Sequence, residues 1–182
     1  YQLMELEGVR ESRGPQRWNE FGEAILGKAQ NLLQRSREGS GVLGDIPTGI
    51  EDLDWLVGGF DRGDFVILAA RPSVGKTALA FRIAENVSQK GPVLIFSIEM
   101  GKFRLAERGA YSHARLSLAE MRKGRVSRDD ARRLITSVGE LERYQLWIDE
   151  DALTIGEILA RSERMSRQVG KLDMIIIDYA QL

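Results

Sequence analysis

The sequence contains no cysteine and only one histidine, His113. Without cysteine, the chain can form neither a disulfide framework nor a metal site built from thiolates. With a single histidine, it cannot form a metal centre built from several imidazoles, and we do not expect His113 to be a metal ligand. Disulfide-stabilised folds and zinc-type centres are therefore excluded.

Long apolar runs are also missing. The longest are residues 65–70 and 174–177, which are far shorter than the roughly 20 residues needed to span a bilayer. Residues 1–20 carry charges throughout and show no apolar segment of the kind found in signal peptides. We therefore expect no membrane span, and a cytoplasmic location follows by default.

Charge of one sign does not dominate the chain. It has 26 basic and 27 acidic residues, for a formal net charge of −1. A chain-wide basic field for nucleic acid is therefore absent, and any such contact must come from a local patch or from residues outside this chain. The 182 residues suit one domain plus an appendage. The chain begins with Tyr1 and stops at Leu182 after a strand-like run, as we expect of a fragment.

The apolar pattern changes at about residue 45. Residues 16–36 place apolar side chains at three- and four-residue spacing, which is typical of an amphipathic helix. Glycines at positions 39, 41 and 44 follow and indicate a flexible break. We predict a tail, a linker helix and a flexible linker over residues 1–45, and one domain over residues 46–182. The helix packs either on its own domain or on a neighbouring subunit, and we expect the neighbour.

Strand-like and helix-like segments alternate from residue 46 onwards. Apolar runs of strand length lie at residues 65–70, 93–98, 146–148 and 174–177, and helical patterns lie at residues 77–90, 102–140 and 154–169. This alternation predicts an α/β domain with a parallel sheet flanked by helices. The run at 65–70 is continuously apolar, which predicts a strand buried on both faces. Ser127 and Thr154 are predicted helix N-caps.

The strongest chemical signal is Gly75-Lys76-Thr77, between a strand-like run and a helix. Successive backbone N–H groups at a helix start form a cradle for phosphate, and Gly75 lets the backbone come close. Lys76 can reach the β- and γ-phosphates, and the Thr77 hydroxyl can bind Mg²⁺. Ala70 stands where the strict phosphate-loop pattern has glycine, and the alternative is a chance Gly-Lys-Thr in a loop. The predicted residues binding ATP are Arg71, Pro72, Ser73, Val74, Gly75, Lys76, Thr77 and Ala78.

Two carboxylates at strand ends complete the predicted site. Asp178 follows the run 174–177, and a carboxylate at the carboxyl end of a parallel strand can hold Mg²⁺ together with Thr77. Glu99 ends the run 93–98, and if that strand neighbours the first one, Glu99 can orient or deprotonate the attacking water. The alternative for each carboxylate is a solvated strand end. We predict Glu99 and Lys76 as the catalytic residues.

Other polar clusters are expected to be structural. Arg122, Lys123, Arg125 and Arg128 form a basic group in the helical region, most simply a solvated face, with nucleic-acid contact as the alternative. The acidic run 149–151 is best explained by a loop with capping acids, with a second metal site as the weaker alternative.

Several motifs together resemble the DnaB family of replicative DNA helicases. The segment Pro47-Thr48-Gly49-Ile50-Glu51-Asp52-Leu53-Asp54 resembles the beginning of RecA-type ATPase domains in general. Residues 69–77, 96–100 and 176–182 are similar, in that order, to the phosphate loop, the catalytic-glutamate motif and the second Walker motif of the DnaB family. The resemblance covers about residues 46–182, with a looser match of residues 16–37 to the family's linker helix.

This resemblance implies a RecA-like motor domain that hydrolyses ATP with Mg²⁺ in a hexameric ring. The ring, held together in part by the linker helix, would translocate 5′ to 3′ on single-stranded DNA and unwind duplex DNA. The resemblance also implies that the DNA-binding loops and an arginine finger lie beyond Leu182. Primase and helicase-loader contacts would belong to an N-terminal domain outside this chain. We therefore expect this chain alone to bind nucleotide weakly and hardly to hydrolyse it. The alternative is a RecA- or KaiC-like ATPase that uses ATP for assembly or signalling without unwinding.

Overall fold

The computed structural model describes residues 17–37, 44–71, 73–152 and 154–178. The chain divides into two compact units, Tyr1–Leu43 and Gly44–Leu182. In the first unit, a 3-10 turn (Trp18–Phe21) runs into helix α1 (Gly22–Arg37), which confirms the helix predicted over residues 16–36. The predicted tail (residues 1–15) and the linker glycines at 39 and 41 lie outside the described residues.

The second unit alternates helices with strands, as predicted. Its helices are α2 (Glu51–Val57), α3 (Lys76–Ser88), α4 (Lys102–His113), α5 (Leu118–Arg122), α6 (Arg128–Leu141) and α7 (Ile155–Val169). Its strands are β1 (Val93–Ser97), β2 (Leu146–Asp149) and β3 (Met174–Asp178). The strands form a parallel sheet in the order β2-β1-β3. Across the described ranges, no helix is both long and apolar enough to cross a membrane.

Strand β1 is the centre of this unit, and all five of its residues are buried. Successive side chains of a strand point to opposite faces of the sheet. Val93 and Ile95 join a cluster that contains the apolar residues of α3, whereas Leu94 and Phe96 pack with Ile158 and Met165 of α7 and their neighbours. Burial on both faces explains why β1 is continuously apolar in sequence.

The two predicted helix N-caps are confirmed. The Ser127 hydroxyl accepts a hydrogen bond from the backbone N–H of Asp130, whose carboxylate in turn accepts the Ser127 N–H, and α6 follows. These bonds with Ser127, helped by Arg133, lower the pKa of Asp130 to about 2. Thr154 and Glu157 make the same reciprocal pair at the start of α7. A side-chain cap with an acid three residues later is therefore a reliable local signal here.

The buried strand predicted over residues 65–70 is wrong for this structure. These residues have no regular secondary structure, and the apolar side chains from Phe65 to Leu68 are exposed, Phe65 to 90%. In the part of the chain that the structure describes, β2 and β3 form the edges of the sheet, and neither pairs with this run. An apolar run becomes a strand only where a neighbour takes its backbone hydrogen bonds, and no described strand does so.

The segment that resembles RecA-type domains, residues 47–54, forms a hydrogen-bonded clasp that contacts α3. The buried carboxylate of Asp54 accepts the backbone N–H groups of Thr48 (2.7 Å) and Gly49 (2.9 Å). The Asn86 amide of α3 donates to the carbonyl oxygen of Thr48 at 3.0 Å. Gly49 adopts φ +72°, and a Cβ at this position would lie 2.6 Å from the Cβ of Asn86. Glycine is therefore required at position 49 both by its backbone and by the closeness of α3.

We predict that Gly49→Ala lowers the free energy of unfolding by about 2 kcal/mol or more, because left-handed strain adds to a collision with Asn86. The matched control is Gly124→Ala, where φ is +73° but a Cβ meets no described atom within 4 Å. Comparing the two variants by urea denaturation separates the effect of backbone strain from that of the collision with Asn86. Equal losses in the two variants would show that the contact with Asn86 is unimportant.

Candidate functional site

The predicted phosphate loop turns directly into α3. Ser73 (φ +64°) and Gly75 (φ +110°) both adopt left-handed backbone conformations, and α3 begins at Lys76. A Cβ built on Gly75 meets no described atom within 4 Å, so the space in front of this turn is open. The first backbone N–H groups of a helix have no partner within the helix and point out of its N-terminus. Pro72 lies outside the described residues.

Lys76 and Asp178 lie together although they are far apart in sequence. The Lys76 ammonium Nζ is 3.6 Å from Oδ1 of Asp178, whose side chain is buried. Strand pairing explains this proximity. Asp178 ends β3 opposite Ser97 of β1, and its carbonyl oxygen accepts the backbone N–H of Ile98 at 2.8 Å. Because parallel strands end at the same edge of the sheet, the Asp178 carboxylate faces the start of α3.

Glu99 lies at the same edge of the sheet, but it does not join the pair. It comes two residues after the end of β1, in a turn that is folded by a hydrogen bond from the Ser97 hydroxyl to the carbonyl oxygen of Met100. Its side chain is exposed, and none of the described contacts ties it to Lys76 or Asp178. The condition for its predicted role was a strand partner at residues 65–70, and β1 instead pairs with β2 and β3. The catalytic role of Glu99 stays a prediction.

The arginines of α4 were not predicted from the sequence as site residues. A cavity of about 280 Å³ borders the first turn of α3, and its lining includes Thr77, Ala78 and Arg108. Arg108 also lines a larger cleft of about 650 Å³, together with Met100 and Arg104. The signal that could have revealed them is the position of α4 directly after the Glu99 turn, which brings a basic helix against α3.

The remaining charged clusters are largely neutralised by partners. Arg122 pairs with Glu107, and both Lys123 and Arg125 pair with Glu120, which supports the interpretation as a solvated face.

The acidic run after β2 is also neutralised. Burial would raise the pKa of Asp149, but its bonds with Arg161 and the following backbone lower it. Glu150 accepts both the backbone N–H and the ammonium group of Lys102. Over the ranges the structure describes, no group of three or more histidine and carboxylate side chains is arranged to hold a metal.

Comparison with known proteins decides the family. Residues 45–182 match the family described as the DnaB-like helicase C-terminal domain. The chain belongs to this family. It is 37% identical over 161 residues to the replicative DNA helicase DnaC of Bacillus subtilis (strain 168) and 36% identical over 161 residues to the replicative DNA helicase DnaB of Geobacillus stearothermophilus. Each alignment covers 87% of this chain but 35% of the relative, so the chain spans about a third of their length.

Solved structures of similar proteins share the fold. One of them, described as an ATPase domain, has a TM-score of 0.74 at 27% identity, over 88% of this chain and 57% of that one. A DnaB-like replicative helicase, described with its interactions with primase, has a TM-score of 0.74 at 25% identity, over 91% of this chain and 39% of that one. The prediction of a RecA-like parallel sheet flanked by helices is confirmed.

In this DnaB-like domain, Lys76→Ala removes the cation that lies between the start of α3 and Asp178. We predict that affinity for Mg²⁺·ATP falls roughly 10- to 100-fold, the usual value of a charge-assisted hydrogen bond, and that turnover is abolished in the parent protein. Isothermal titration calorimetry measures the affinity, and circular dichroism checks that the fold is kept. The control is Lys90→Ala, an exposed lysine just beyond the other end of α3. Near-normal binding by Lys76→Ala would contradict the site.

Proposed function

We propose that this chain is part of the ATP-driven motor of a replicative DNA helicase. In this proposal residues 46–182 form the RecA-like ATPase domain, and residues 1–45 supply a tail, a linker helix and a flexible linker. The observation that carries the proposal is the meeting of Lys76 and Asp178 at the N-terminus of α3, in a chain of the DnaB-like family. This pair is what a nucleotide with its metal requires, a cation for phosphate and a carboxylate for Mg²⁺.

The residues at the start of α3 fit ATP and Mg²⁺. A helix N-terminus attracts anions, and the open space before Gly75 leaves room for phosphate against the backbone of residues 73–78. The Thr77 hydroxyl and the Asp178 carboxylate are oxygen ligands, which Mg²⁺ prefers. When bound, Mg²⁺ neutralises charge that develops on the phosphates. Lys76 would contribute the same effect from the protein side, because its charge is already positioned.

Glu99 is the residue we propose for activating water. It lies beyond the carboxyl end of β1, at the sheet edge where Asp178 also ends its strand. A carboxylate there can orient or deprotonate a water molecule that attacks the terminal phosphate. Its exposed side chain is free to turn towards bound nucleotide, because the turn that carries it is held through Ser97 and Met100 rather than through Glu99 itself.

The relatives and helix α1 support the proposed partners. The relatives are described as replicative DNA helicases, and a structurally similar helicase is described with primase. We propose that the parent protein acts on DNA as a homo-hexamer, with primase and a loader as further partners outside this chain. Phe21, Ile25 and Leu33 of the first unit are exposed. An apolar stripe of this kind supports a contact between α1 and a neighbouring subunit.

A RecA- or KaiC-like ATPase that assembles or signals without unwinding is the second candidate. Both candidates require nucleotide binding, so binding alone does not separate them. Incubating the full-length protein with ATP and a forked DNA duplex does. Strand separation that depends on hydrolysis supports the helicase, whereas ATP hydrolysis with no strand separation supports the second candidate.

Replacing Glu99 by Gln separates binding from chemistry. The amide keeps the size and hydrogen bonding of the side chain but cannot take a proton. We expect nucleotide affinity to be kept and ATP hydrolysis by the full-length protein to fall roughly 10²- to 10⁴-fold. Glu51→Gln, an exposed glutamate on α2, is the control and keeps normal turnover. Loss of affinity in Glu99→Gln would make Glu99 a structural residue.

A further inference from the structure

His113, the only histidine of the chain, lies between two carboxylates from different helices. It is near the end of α4, where its Nδ1 contacts Oε1 of Glu85 on α3 and its Nε2 lies 2.7 Å from Oε2 of Glu140 on α6. The Glu85 side chain is 1% exposed and that of His113 15%. Three helices therefore meet at one imidazole ring.

This geometry favours a protonated imidazole when both carboxylates are ionised. An ionised carboxylate only accepts hydrogen bonds, and a neutral imidazole has one N–H to donate. Both carboxylates are satisfied together only by an imidazolium, which donates from both nitrogens. Burial alone would lower the pKa of His113, but the hydrogen bonds with Glu140 and Glu85 outweigh it and raise the pKa above its ordinary value.

Two further groups face the Glu85–His113 pair, one a cation and the other a phenol. Arg82 of α3 lies 2.9 Å from Glu85, and the Tyr144 ring, which follows α6, meets the imidazole edge-on at 6.2 Å. Burial, followed by the charges of Glu85 and Glu140, raises the pKa of Tyr144, so this phenol stays neutral. With His113 protonated, two carboxylates face two cations. When His113 loses its proton, the buried Glu85 keeps only the half-exposed Arg82.

Two of the helices that meet at His113, α3 and α4, are also next to residues of the candidate site. Helix α3 begins with Lys76 and Thr77, and α4 follows the turn that carries Glu99. The two helices also touch closely at a second point, since a Cβ on Gly109 would lie 2.2 Å from the Phe81 ring. Residues 105, 109 and 113 are spaced four apart and so lie on one face of α4. The His113 contact with Glu85 therefore lies on the same face of α4 as the approach of Gly109 to Phe81.

We propose that protonated His113 is a positioning residue that clamps α4 and α6 onto α3, and that loss of its proton weakens nucleotide binding at the start of α3. This inference rests on the proposed nucleotide site. The direction of the pH dependence follows from the raised pKa of His113. Because the folded pKa is raised, the contribution of the clamp is complete below the unfolded pKa of about 6.5 and is lost as pH rises through the folded value.

The first test measures the protonation of His113 directly. Since the chain has one histidine, its imidazole gives one set of carbon-bound proton signals in NMR, and a pH titration assigns the midpoint without ambiguity. We expect a midpoint above the ordinary value, and a lower midpoint in Glu140→Gln, which removes one carboxylate at a half-exposed position. A midpoint at or below the ordinary value overturns the proposal.

The second test asks whether the protonation of His113 affects nucleotide binding. Affinity for Mg²⁺ with a non-hydrolysable ATP analogue is measured from pH 6.5 to 9 in the unmodified chain, in His113→Gln and in the control Glu142→Gln. We expect the unmodified chain and the control to lose affinity roughly 5-fold or more with rising pH, a typical coupling. His113→Gln is expected to bind weakly at every pH.

The outcomes of the two tests are distinguishable. A raised midpoint with affinity that does not change with pH would make His113 a purely structural clamp and overturn the positioning role. If the unmodified chain binds no nucleotide at any pH, the proposed function fails, and the NMR titration still reports on His113. If His113→Gln does not fold, Glu140→Gln replaces it. The nucleotide affinity of Glu140→Gln must then fall at a lower pH than that of the unmodified chain. The same dependence of affinity on pH in both would count against the clamp.

Discussion

The parallel pairing of β1 with β3 sets the positions of the charged groups in the candidate site. It places Asp178 opposite Ser97 and makes the carbonyl oxygen of Asp178 the acceptor for the first N–H beyond β1. Since α3 packs on both strands, its N-terminus comes to the same edge of the sheet, where Lys76 meets the Asp178 carboxylate. Two apolar strands without any chemistry of their own thus bring together charges that are distant in sequence.

Polar contacts hold α3 on two sides of its apolar face. On one side Asn86 donates to the clasp closed by Asp54, and on the other Glu85 contacts His113. Both carboxylates are buried, and each has hydrogen-bond partners. A buried carboxylate without a partner would cost several kcal/mol, so such groups exclude wrong arrangements more than they add stability. Apolar packing keeps α3 on the sheet, and the polar contacts fix where along the sheet it lies.

Local signals in the sequence predicted much of this fold. The caps at Ser127 and Thr154 and the helix after Gly75 follow from spacing within a few residues, and the three paired strands follow from short apolar runs. Asp178 was predictable because the end of a parallel strand has a known direction. The contact of Glu85, His113 and Glu140 was not, because each lies on a separate helix and a charged residue in a helical pattern normally indicates a solvated face. Arg108 escaped notice for the same reason.

The run at residues 65–70 shows a limit of predicting structure from sequence pattern. Its apolar character predicted a covered strand, but pattern alone does not supply the neighbouring strand that would cover it. In this structure the backbone before the phosphate loop is therefore not fixed by a sheet, whereas the backbone after it is fixed by α3. In the proposed site, a phosphate group bound at the turn of Gly75 would depend on α3 for its geometry. The contacts that anchor α3, at Asn86, Glu85 and the Phe81–Gly109 approach, therefore bear directly on how well Lys76 and Thr77 are positioned, although none of them lies at the site itself.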